Sequence, residues 1–224
     1  MDGNGRWAQR RGLPRYEGHR RGMSAVREAV EGSVEAGVGI LTLFAFSTQN
    51  WDRPPTEIGA LMSLLRAYAQ KEKRSLAAQG VEVQVLGDLD RLDDGTKSAI
   101  ESIVRGTAGG QSLRLNLMIS YSGRDELIRA ARLLASRTLS GELTPDEIGA
   151  AEVEECLYTR GLPDPDLLVR TSGEQRLSNF LLWQLAYTEI HTSPVLWPEF
   201  TRDDLYRAIL DFQSRERRFG RVSV

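Results

Sequence analysis

The chain has 224 residues, 41% of them hydrophobic, which suits one globular domain with a substantial core. Its 29 Lys and Arg residues are balanced by 31 Asp and Glu residues, which excludes the overall basic field typical of nucleic-acid-binding proteins. The single cysteine, Cys156, excludes an internal disulfide, and no apolar run approaches the ~20 residues that span a bilayer. The first residues are polar and lack the apolar core of a signal peptide. We therefore expect a cytoplasmic protein, whose membrane association, if any, is peripheral.

The first half of the chain predicts alternating helices and strands. Apolar residues at helical spacing predict a helix over residues 18–36, and Gly37 is typical of a left-handed C-terminal cap. A short apolar run then predicts a buried strand over residues 40–46. A second helical stripe begins at Thr56 and ends near Gly80.

The same alternation continues through the second half. Ser122 with Asp125, and Thr201 with Asp204, are spaced as helix N-terminal caps. The remaining predicted elements are a strand at 81–85, a helix at 95–105, a strand at 113–119, a helix from 122 to about 139, a short helix beginning at 144, a strand at 167–170 and a final helix from 201 to 220. This order predicts a single α/β domain over residues 1–224, with a central, mostly parallel sheet flanked by helices.

Three polar loops follow predicted strands, at residues 47–53, 121–124 and 171–179. Because the carboxyl ends of parallel strands lie at one edge of a sheet, these loops are expected to share a rim. Ligands of open α/β sheets bind outside that edge. The sequence thus predicts where the functional side chains meet.

Glycines and charged side chains alternate in the first seven residues, Met-Asp-Gly-Asn-Gly-Arg-Trp. Gly3 and Gly5 let the backbone approach a ligand closely, and Asp2 and Arg6 flank them with a carboxylate and a guanidinium. This combination suits a metal-bound diphosphate. A flexible Gly-rich terminus is the simpler alternative, and a dinucleotide-binding turn would require a strand directly before Gly3.

Six basic side chains crowd residues 10–21 of a chain that is otherwise mildly acidic. They are Arg10, Arg11, Arg15, His19, Arg20 and Arg21. A solvated basic face is the common explanation of such a run. The functional alternative is an anion-binding funnel beside the Gly-rich turn.

Two later regions also contain polar and charged side chains of the kinds that bind ligands or metal ions. Residues 46–53 combine hydroxyls, amides, an indole and an arginine after an apolar strand, and such loops are commonly functional. Arg170, Arg176 and Ser178 suit a second diphosphate through charge-assisted hydrogen bonds, with a plain polar turn as the alternative. Glu189 lies in an apolar stretch, where a salt bridge explains a carboxylate as well as a metal ion does.

Two further features are interpreted as non-functional. The acidic run Asp88, Asp90, Asp93 and Asp94 lacks the regular spacing of a helical metal cluster and indicates a solvated loop. Cys156 lies among acidic residues without zinc-ligand spacing, so we expect an inert thiol.

Four sequence blocks, taken together, resemble one enzyme family. The blocks are residues 1–8, Gly18-His19, residues 46–54 (Phe-Ser-Thr-Gln-Asn-Trp-Asp-Arg-Pro) and residues 170–180 (Arg-Thr-Ser-Gly-Glu-Gln-Arg-Leu-Ser-Asn-Phe). In this order they resemble the bacterial undecaprenyl diphosphate synthases, or isoprenyl transferases, of the cis-prenyltransferase family. The resemblance continues through residues 183–189, 196–198 and 217–220, so it covers essentially the whole chain.

The resemblance implies condensation of isopentenyl diphosphate onto an allylic diphosphate, such as farnesyl diphosphate, by a Mg²⁺-dependent homodimer. The product would be a Z-polyprenyl diphosphate such as undecaprenyl diphosphate, the precursor of a cell-wall lipid carrier. Asp2 and Asn50 are implied as catalytic residues, and Asp2 with Glu189 as metal ligands. The residues implied to bind substrate are Gly3, Asn4, Gly5, Arg6, Trp7, Arg15, His19, Ser47, Thr48, Gln49, Trp51, Arg53, Arg170, Arg176, Leu177 and Ser178.

The family also implies an apolar tunnel beneath the active-site rim for the growing product. The apolar stripes of residues 18–36 and 58–68 are candidates for its walls. The simpler explanation of both stripes is that they pack in the hydrophobic core. Met118 and Ile119 are bulkier than the residues usual there, which predicts a shorter tunnel and a shorter product.

Relatives have an apolar strand before the Met-Asp-Gly block, and this sequence begins at Met1. If that strand is absent, we expect a sheet with one strand fewer and an Asp2 that frays; a misassigned start or a shortened sequence is the alternative. The main alternative function is that of a non-catalytic homologue that acts through a partner. Non-catalytic homologues of this kind lack the acidic residue and parts of the arginine cluster. This sequence has all of them: Asp2, Arg170, Arg176 and Glu189.

Overall fold

The computed structural model describes residues 1–215 of the chain. Its helices are α1 (Asn4–Gln9), α2 (Arg15–Glu35), α3 (Pro55–Ala78), α4 (Asp94–Thr107), α5 (Gly123–Leu139), α6 (Ala150–Glu155) and α7 (Arg202–Gln213). Its strands are β1 (Ile40–Ser47), β2 (Val81–Leu86), β3 (Leu113–Tyr121), β4 (Leu167–Arg170) and β5 (Glu189–Thr192). The family block at 217–220, and the predicted helix end at residue 220, lie outside the described residues.

The predicted alternation is confirmed for most elements, including their ends. Gly37 and Gly80 have φ values of 69°, the left-handed conformation expected after a helix. Ser122 accepts a hydrogen bond from the Asp125 amide, as the predicted cap requires. The last helix was predicted too long: α7 ends at Gln213, since no apolar residue follows Phe212 until residue 219.

Two short elements were not predicted. Helix α1 has six residues in a Gly-rich segment, and β5 has one apolar residue, Ile190, among its four, so neither shows an apolar pattern. Residues 48–52 form a 3₁₀ turn rather than an irregular loop. A 3₁₀ turn at 145–147 takes the place of the predicted short helix, and α6 follows it.

All described strand pairs are parallel, but they form two ladders rather than one. The first has the order β1-β3-β2, and the second pairs β4 with β5. Within residues 1–215 no strand joins the two ladders. The protein is nevertheless one α/β domain with its parallel sheet flanked by helices, as predicted.

The main core lies between the three-stranded ladder and helices α2, α3 and α4. Leu115, Leu117 and Ile119 of β3 point into it. Met118 points to the opposite face, where it packs with Tyr121 and the segment 180–185. Successive residues of a strand face opposite sides of a sheet, so the two bulky neighbours singled out by the sequence have different surroundings.

Candidate functional site

The segment around Asp2 is held by backbone hydrogen bonds on both sides. The Asp2 amide donates to the Thr171 hydroxyl (3.1 Å), and the Asp2 carbonyl accepts from the Trp197 amide (2.9 Å) and the Ser172 hydroxyl (2.9 Å). The structure therefore anchors Asp2 to the loop after β4, in contrast to the fraying expected from its position in the sequence.

Two of the three glycines of α2, Gly18 and Gly22, explain how α1 comes so close to it. A Cβ on Gly18 would lie 1.9 Å from the Asn4 carbonyl oxygen, and one on Gly22 would lie 2.6 Å from the Asn4 side-chain oxygen. Gly3 has a φ of 96°, and a Cβ there would meet the Ser172 hydroxyl at 2.4 Å. The first turn of the chain is thus packed against α2 and the loop after β4 with backbone in contact.

The Asp2 carboxylate faces a cavity and is ionised. It accepts hydrogen bonds from the Gly3 amide (2.6 Å) and from Arg170 Nη2 (2.9 Å). Burial raises the pKa of Asp2, but the Gly3 hydrogen bond and the charges of Arg170 and Arg6 outweigh it, so the pKa lies below its usual value. An acceptor-only carboxylate of this kind is a metal ligand or a partner of cations.

The loop after β4 gathers the other charged groups. Arg170 also donates to the Ser178 hydroxyl (3.3 Å). Arg6 pairs with Glu174 (2.9 Å), which in turn pairs with Arg176. Ser172 and Ser178 have φ values of 73° and 53°, a conformation that costs free energy in residues other than glycine. Such strain is common where a loop must present its side chains to a ligand.

Arg15, Arg53 and His19 form the other side of the cavity mouth. Arg15 lies at the start of α2 and Arg53 directly after the 3₁₀ turn, and both contact Glu57. Burial, and then the charge of Arg53, lower the pKa of His19 to about 4. The imidazole is therefore neutral at neutral pH.

This low pKa predicts an acid-sensitive fold. The unfolded chain binds a proton at His19 near the ordinary histidine pKa of 6.5, whereas the folded chain does so only at a pKa of about 4, so stability is lost as the pH falls between these values. Between pH 7 and pH 4.5, we expect the unfolding free energy of the wild type to fall by about 2–3 kcal/mol more than that of His19→Asn. Urea unfolding at both pH values measures this difference. Identical pH dependence in the two proteins would contradict it.

Side chains of the 47–53 loop hold it in place through hydrogen bonds within the loop, to α5 and to β3. Asn50 accepts from the Ser47 amide (3.0 Å), and Thr48 donates to Asp125 (2.8 Å). The Trp51 indole donates to the Ser120 hydroxyl (3.0 Å), and Arg91 lies over its ring. Trp51 thus anchors the loop on β3, and its predicted contact with substrate stays a prediction.

These segments enclose a cavity of about 280 Å³. The predicted site residues that line it are Asp2, Gly3, Asn4, Gly5, Arg15, His19, Ser47, Asn50, Arg53, Arg170 and Ser178. The predicted site residues that do not line it are Arg6, Trp7, Thr48, Gln49, Trp51, Arg176, Leu177 and Glu189. Of the three loops predicted to share a rim, 47–53 and 171–179 contribute lining residues, whereas 121–124 does not.

The apolar part of the lining includes residues of both stripes that the sequence offered as tunnel walls, namely Met23, Leu61, Met62 and Leu65, and also Ile119. It is formed by Met1, Met23, Phe44, Phe46, Leu61, Met62, Leu64, Leu65, Ile119 and Trp197, together with Gly22 and Ala45. The apolar stripes of α2 and α3 were a signal for this wall, but ordinary core residues show the same pattern. The cavity therefore joins a charged mouth to an apolar interior.

Several polar atoms at this site are buried without a partner. Among the described residues, seven buried side-chain nitrogen and oxygen atoms have no hydrogen-bond partner, and four of these belong to the predicted site. The four are Asn4 Oδ1, Trp7 Nε1, His19 Nε2 and Arg170 Nε. Because unpaired buried polar groups are costly, their concentration here indicates a site built for a polar ligand.

Glu189 lies apart from Asp2 in the single chain. It begins β5 opposite Leu167, three residues along the ladder from the Arg170 end where Asp2 lies. Its carboxylate pairs with Arg215 (2.8 Å). The structure thus supports the salt-bridge explanation within one chain, and a metal role for Glu189 stays a prediction.

The acidic run is not a metal cluster. Asp93 caps α4 through the Thr96 amide (2.9 Å) and pairs with Arg66. Residues 1–215 contain no group of three or more His, Cys, Asp or Glu side chains arranged to hold a metal ion. Cys156 is a buried free thiol in the cluster between α5 and α6, in accord with its predicted inertness.

The fold and site define an α/β protein with a cavity that is lined by charged side chains and by apolar ones. Residues 1–220 match the family model described as "Putative undecaprenyl diphosphate synthase". The chain belongs to this family of prenyltransferases.

Named relatives agree with this assignment. An isoprenyl transferase of Geobacter sulfurreducens is 50% identical over all of this chain and 91% of its own length. An isoprenyl transferase of Heliobacterium mobile is 46% identical over all of this chain and 86% of its own length. The crystal structure of lavandulyl diphosphate synthase from Lavandula x intermedia, in complex with dimethylallyl diphosphate, has a TM-score of 0.95 at 34% identity, covering 98% of this chain and 95% of that one. A probable undecaprenyl diphosphate synthase of Campylobacter jejuni has a TM-score of 0.78 at 36% identity, covering 90% and 93%. A catalytic prenyltransferase is thus supported over a non-catalytic homologue.

Proposed function

We propose that this protein condenses isopentenyl diphosphate with an allylic diphosphate, such as farnesyl diphosphate, to make a Z-polyprenyl diphosphate of the undecaprenyl type. The observation that carries the proposal is the cavity at Asp2, where ionised and unpaired polar groups at the mouth meet an apolar interior. A diphosphate with a hydrocarbon tail has the same two parts. The product would serve as precursor of a cell-wall lipid carrier.

The two sides of the mouth suit two diphosphates. Gly3 to Arg6, with Arg15 and His19, would hold the allylic diphosphate, while Arg170, Arg176 and Ser178 would hold isopentenyl diphosphate. Negative charge develops on the allylic diphosphate as its carbon–oxygen bond breaks. Guanidiniums and backbone amides placed there therefore stabilise the transition state more than the ground state.

The residues present fit Mg²⁺ as the cofactor. Mg²⁺ sites commonly use one or two carboxylates together with substrate phosphates, and Asp2 offers an ionised carboxylate at the cavity. The bound ion would supply charge neutralisation at the departing diphosphate. Glu189 is proposed as a second ligand, which one chain alone does not bring to Asp2.

Proton removal from the condensed intermediate requires only a weak base, because the carbocation is strongly acidic. Asn50 and Ser47 lie at the cavity and are held together by the 3.0 Å bond between the Ser47 amide and the Asn50 side chain. We propose that they orient the intermediate for proton loss, with the released diphosphate as the acceptor.

A product of this kind needs a long apolar tunnel, and we propose that the cavity is its entrance. Ile119 lines the cavity, while Met118 lies on the other face of β3. We therefore expect Ile119→Ala to shift the product distribution toward longer chains, and the matched Met118→Ala to leave it unchanged. Chromatography of the dephosphorylated products distinguishes the two variants. The same product length in both would remove the hypothesis.

A homodimer and a peripheral membrane association are also proposed. Large apolar side chains are exposed near β5 and α7, namely Tyr187 (85%), Ile190 (49%) and Leu210 (64%), which suits a subunit interface. None of the described helices is long and apolar enough to cross a bilayer. A lipid product would therefore be delivered to the membrane surface.

The proposed activity is tested by radiolabel incorporation from isopentenyl diphosphate, with farnesyl diphosphate as primer, with and without Mg²⁺. We expect Mg²⁺-dependent formation of a long butanol-soluble product. No incorporation by a folded protein would overturn the proposal, and NAD binding without such turnover would instead favour a nucleotide-dependent oxidoreductase.

A further inference from the structure

Glu57 pairs with two arginines that line the cavity, although it does not line the cavity itself and is not one of the predicted site residues. It lies in the first turn of α3, and its side chain is only 16% exposed. Its carboxylate contacts Arg53 Nη1 at 3.0 Å and Arg15 Nε at 3.5 Å. One acidic group thus joins two basic groups from different elements.

Both arginines contribute to the mouth of the cavity. The guanidinium carbon of Arg15 lies 3.4 Å from where a Cβ on Gly5 would be, so Arg15 rests against the first turn of the chain. The charges of Arg53, Glu57 and Arg15 all act on the pKa of His19, which places the imidazole beside this cluster. Glu57 therefore connects α2 and the 48–53 segment at the point where they face Gly5.

We propose that Glu57 is a positioning residue that holds Arg15 and Arg53 in place to receive a diphosphate. The inference rests on the proposed function and adds a residue to the same site. Long arginine side chains lose rotamer freedom when they bind an anion, so fixing them beforehand lowers the cost of binding. A single carboxylate shared by two guanidiniums leaves a net positive charge for the ligand.

A purely structural role for Glu57 is the alternative, since acidic residues in the first turn of a helix stabilise it. The chain offers a matched control in Glu17. It also lies in the first turn of a helix, α2, and pairs with an arginine, Arg20 (2.7 Å), but Arg20 does not line the cavity, whereas both arginine partners of Glu57 do. Comparing Glu57→Gln with Glu17→Gln separates the two roles.

The test is calorimetric titration of inorganic pyrophosphate with Mg²⁺ at constant ionic strength. We expect Glu57→Gln to weaken pyrophosphate binding about tenfold. Glu17→Gln is expected to stay within about twofold of the wild type, as an exposed pair should. Simple electrostatics predicts the opposite result, because removing a negative charge beside an anion site should tighten binding. Weaker binding in Glu57→Gln would therefore indicate lost positioning of the arginines. Glu57→Asp, which keeps the charge on a shorter side chain, should recover part of the lost affinity.

Each outcome decides the question. Tighter or unchanged pyrophosphate binding in Glu57→Gln would overturn the positioning role, and unchanged binding with a lower melting temperature would assign Glu57 to helix stability. In turnover assays we expect kcat to fall together with a rise in the KM for the allylic substrate. If the wild-type protein itself neither binds pyrophosphate nor turns over, the proposed function fails rather than this inference.

Discussion

Replacing Asp2 with Asn is expected to lower prenyl transfer about a thousandfold, the scale of removing a preorganised electrostatic group from a transition state. Asn keeps an oxygen that can accept the Gly3 amide but removes the negative charge that Mg²⁺ and Arg170 require. Steady-state rates over a range of Mg²⁺ concentrations measure the effect. We expect that excess Mg²⁺ does not restore the rate.

The control for this variant is Asp146→Asn, an exposed position in the 3₁₀ turn at 145–147. It removes the same charge far from the cavity and should leave turnover within about twofold of the wild type. Asp2→Asn should also remain folded, with an unfolding free energy lower by about 1–2 kcal/mol, because Arg170 loses its carboxylate partner. Turnover by Asp2→Asn close to that of the wild type would refute the assigned role of Asp2.

The second large effect is expected from Gly18→Ala. Its Cβ would lie 1.9 Å from the Asn4 carbonyl oxygen, and because backbone cannot rotate away, α1 and α2 must separate. We expect the unfolding free energy to fall by about 3 kcal/mol and turnover to be largely lost, since α1 carries residues of the cavity mouth. Chemical denaturation and the radiolabel assay measure the two effects.

Gly59→Ala provides the matched control. Gly59 also lies inside a helix, α3, but a Cβ there would meet nothing within 4 Å. Ala is the better helix former, so this variant should gain up to about 1 kcal/mol with normal turnover. The two substitutions are identical in chemistry and opposite in expected sign. Equal stability changes at both positions would mean that the contact between α1 and α2 does not constrain the fold.

The sequence predicted elements wherever apolar periodicity was long enough to be distinctive. Helices α2, α3 and α5, and strands β1 and β3, span eight or more residues and were recognised with ends close to those observed. Helix α1 was missed because it is short and Gly-rich, and strand β5 because Ile190 is the one apolar residue among its four, whereas the equally short β4 has three. The separation into two ladders was also missed, since strand order depends on contacts between distant segments.

The residues of the candidate site were likewise predicted only in part. Residues such as Asp2, His19 and Arg170 were identified from their chemical types and their blocks, and all three line the cavity. Trp51 donates to Ser120, a contact that the sequence did not indicate, and its role in binding substrate stays a prediction. Glu57 was overlooked because an acidic residue in the first turn of a helix is ordinary in sequence. Only its two arginine partners, drawn from separate elements, distinguish it.

By itself, the sequence determined the α/β class, the order of the main elements, the prenyltransferase resemblance and the chemical groups available for binding diphosphate. These properties follow from local periodicity, caps and residue types, which are encoded over short stretches of chain. The tertiary structure decided which of those groups share a cavity, that Asp2 is tied to the loop after β4, and that Ile119 rather than Met118 lines the cavity. Such facts depend on packing between residues more than a hundred positions apart, as with Asp2 and Arg170, and no local pattern encodes that contact.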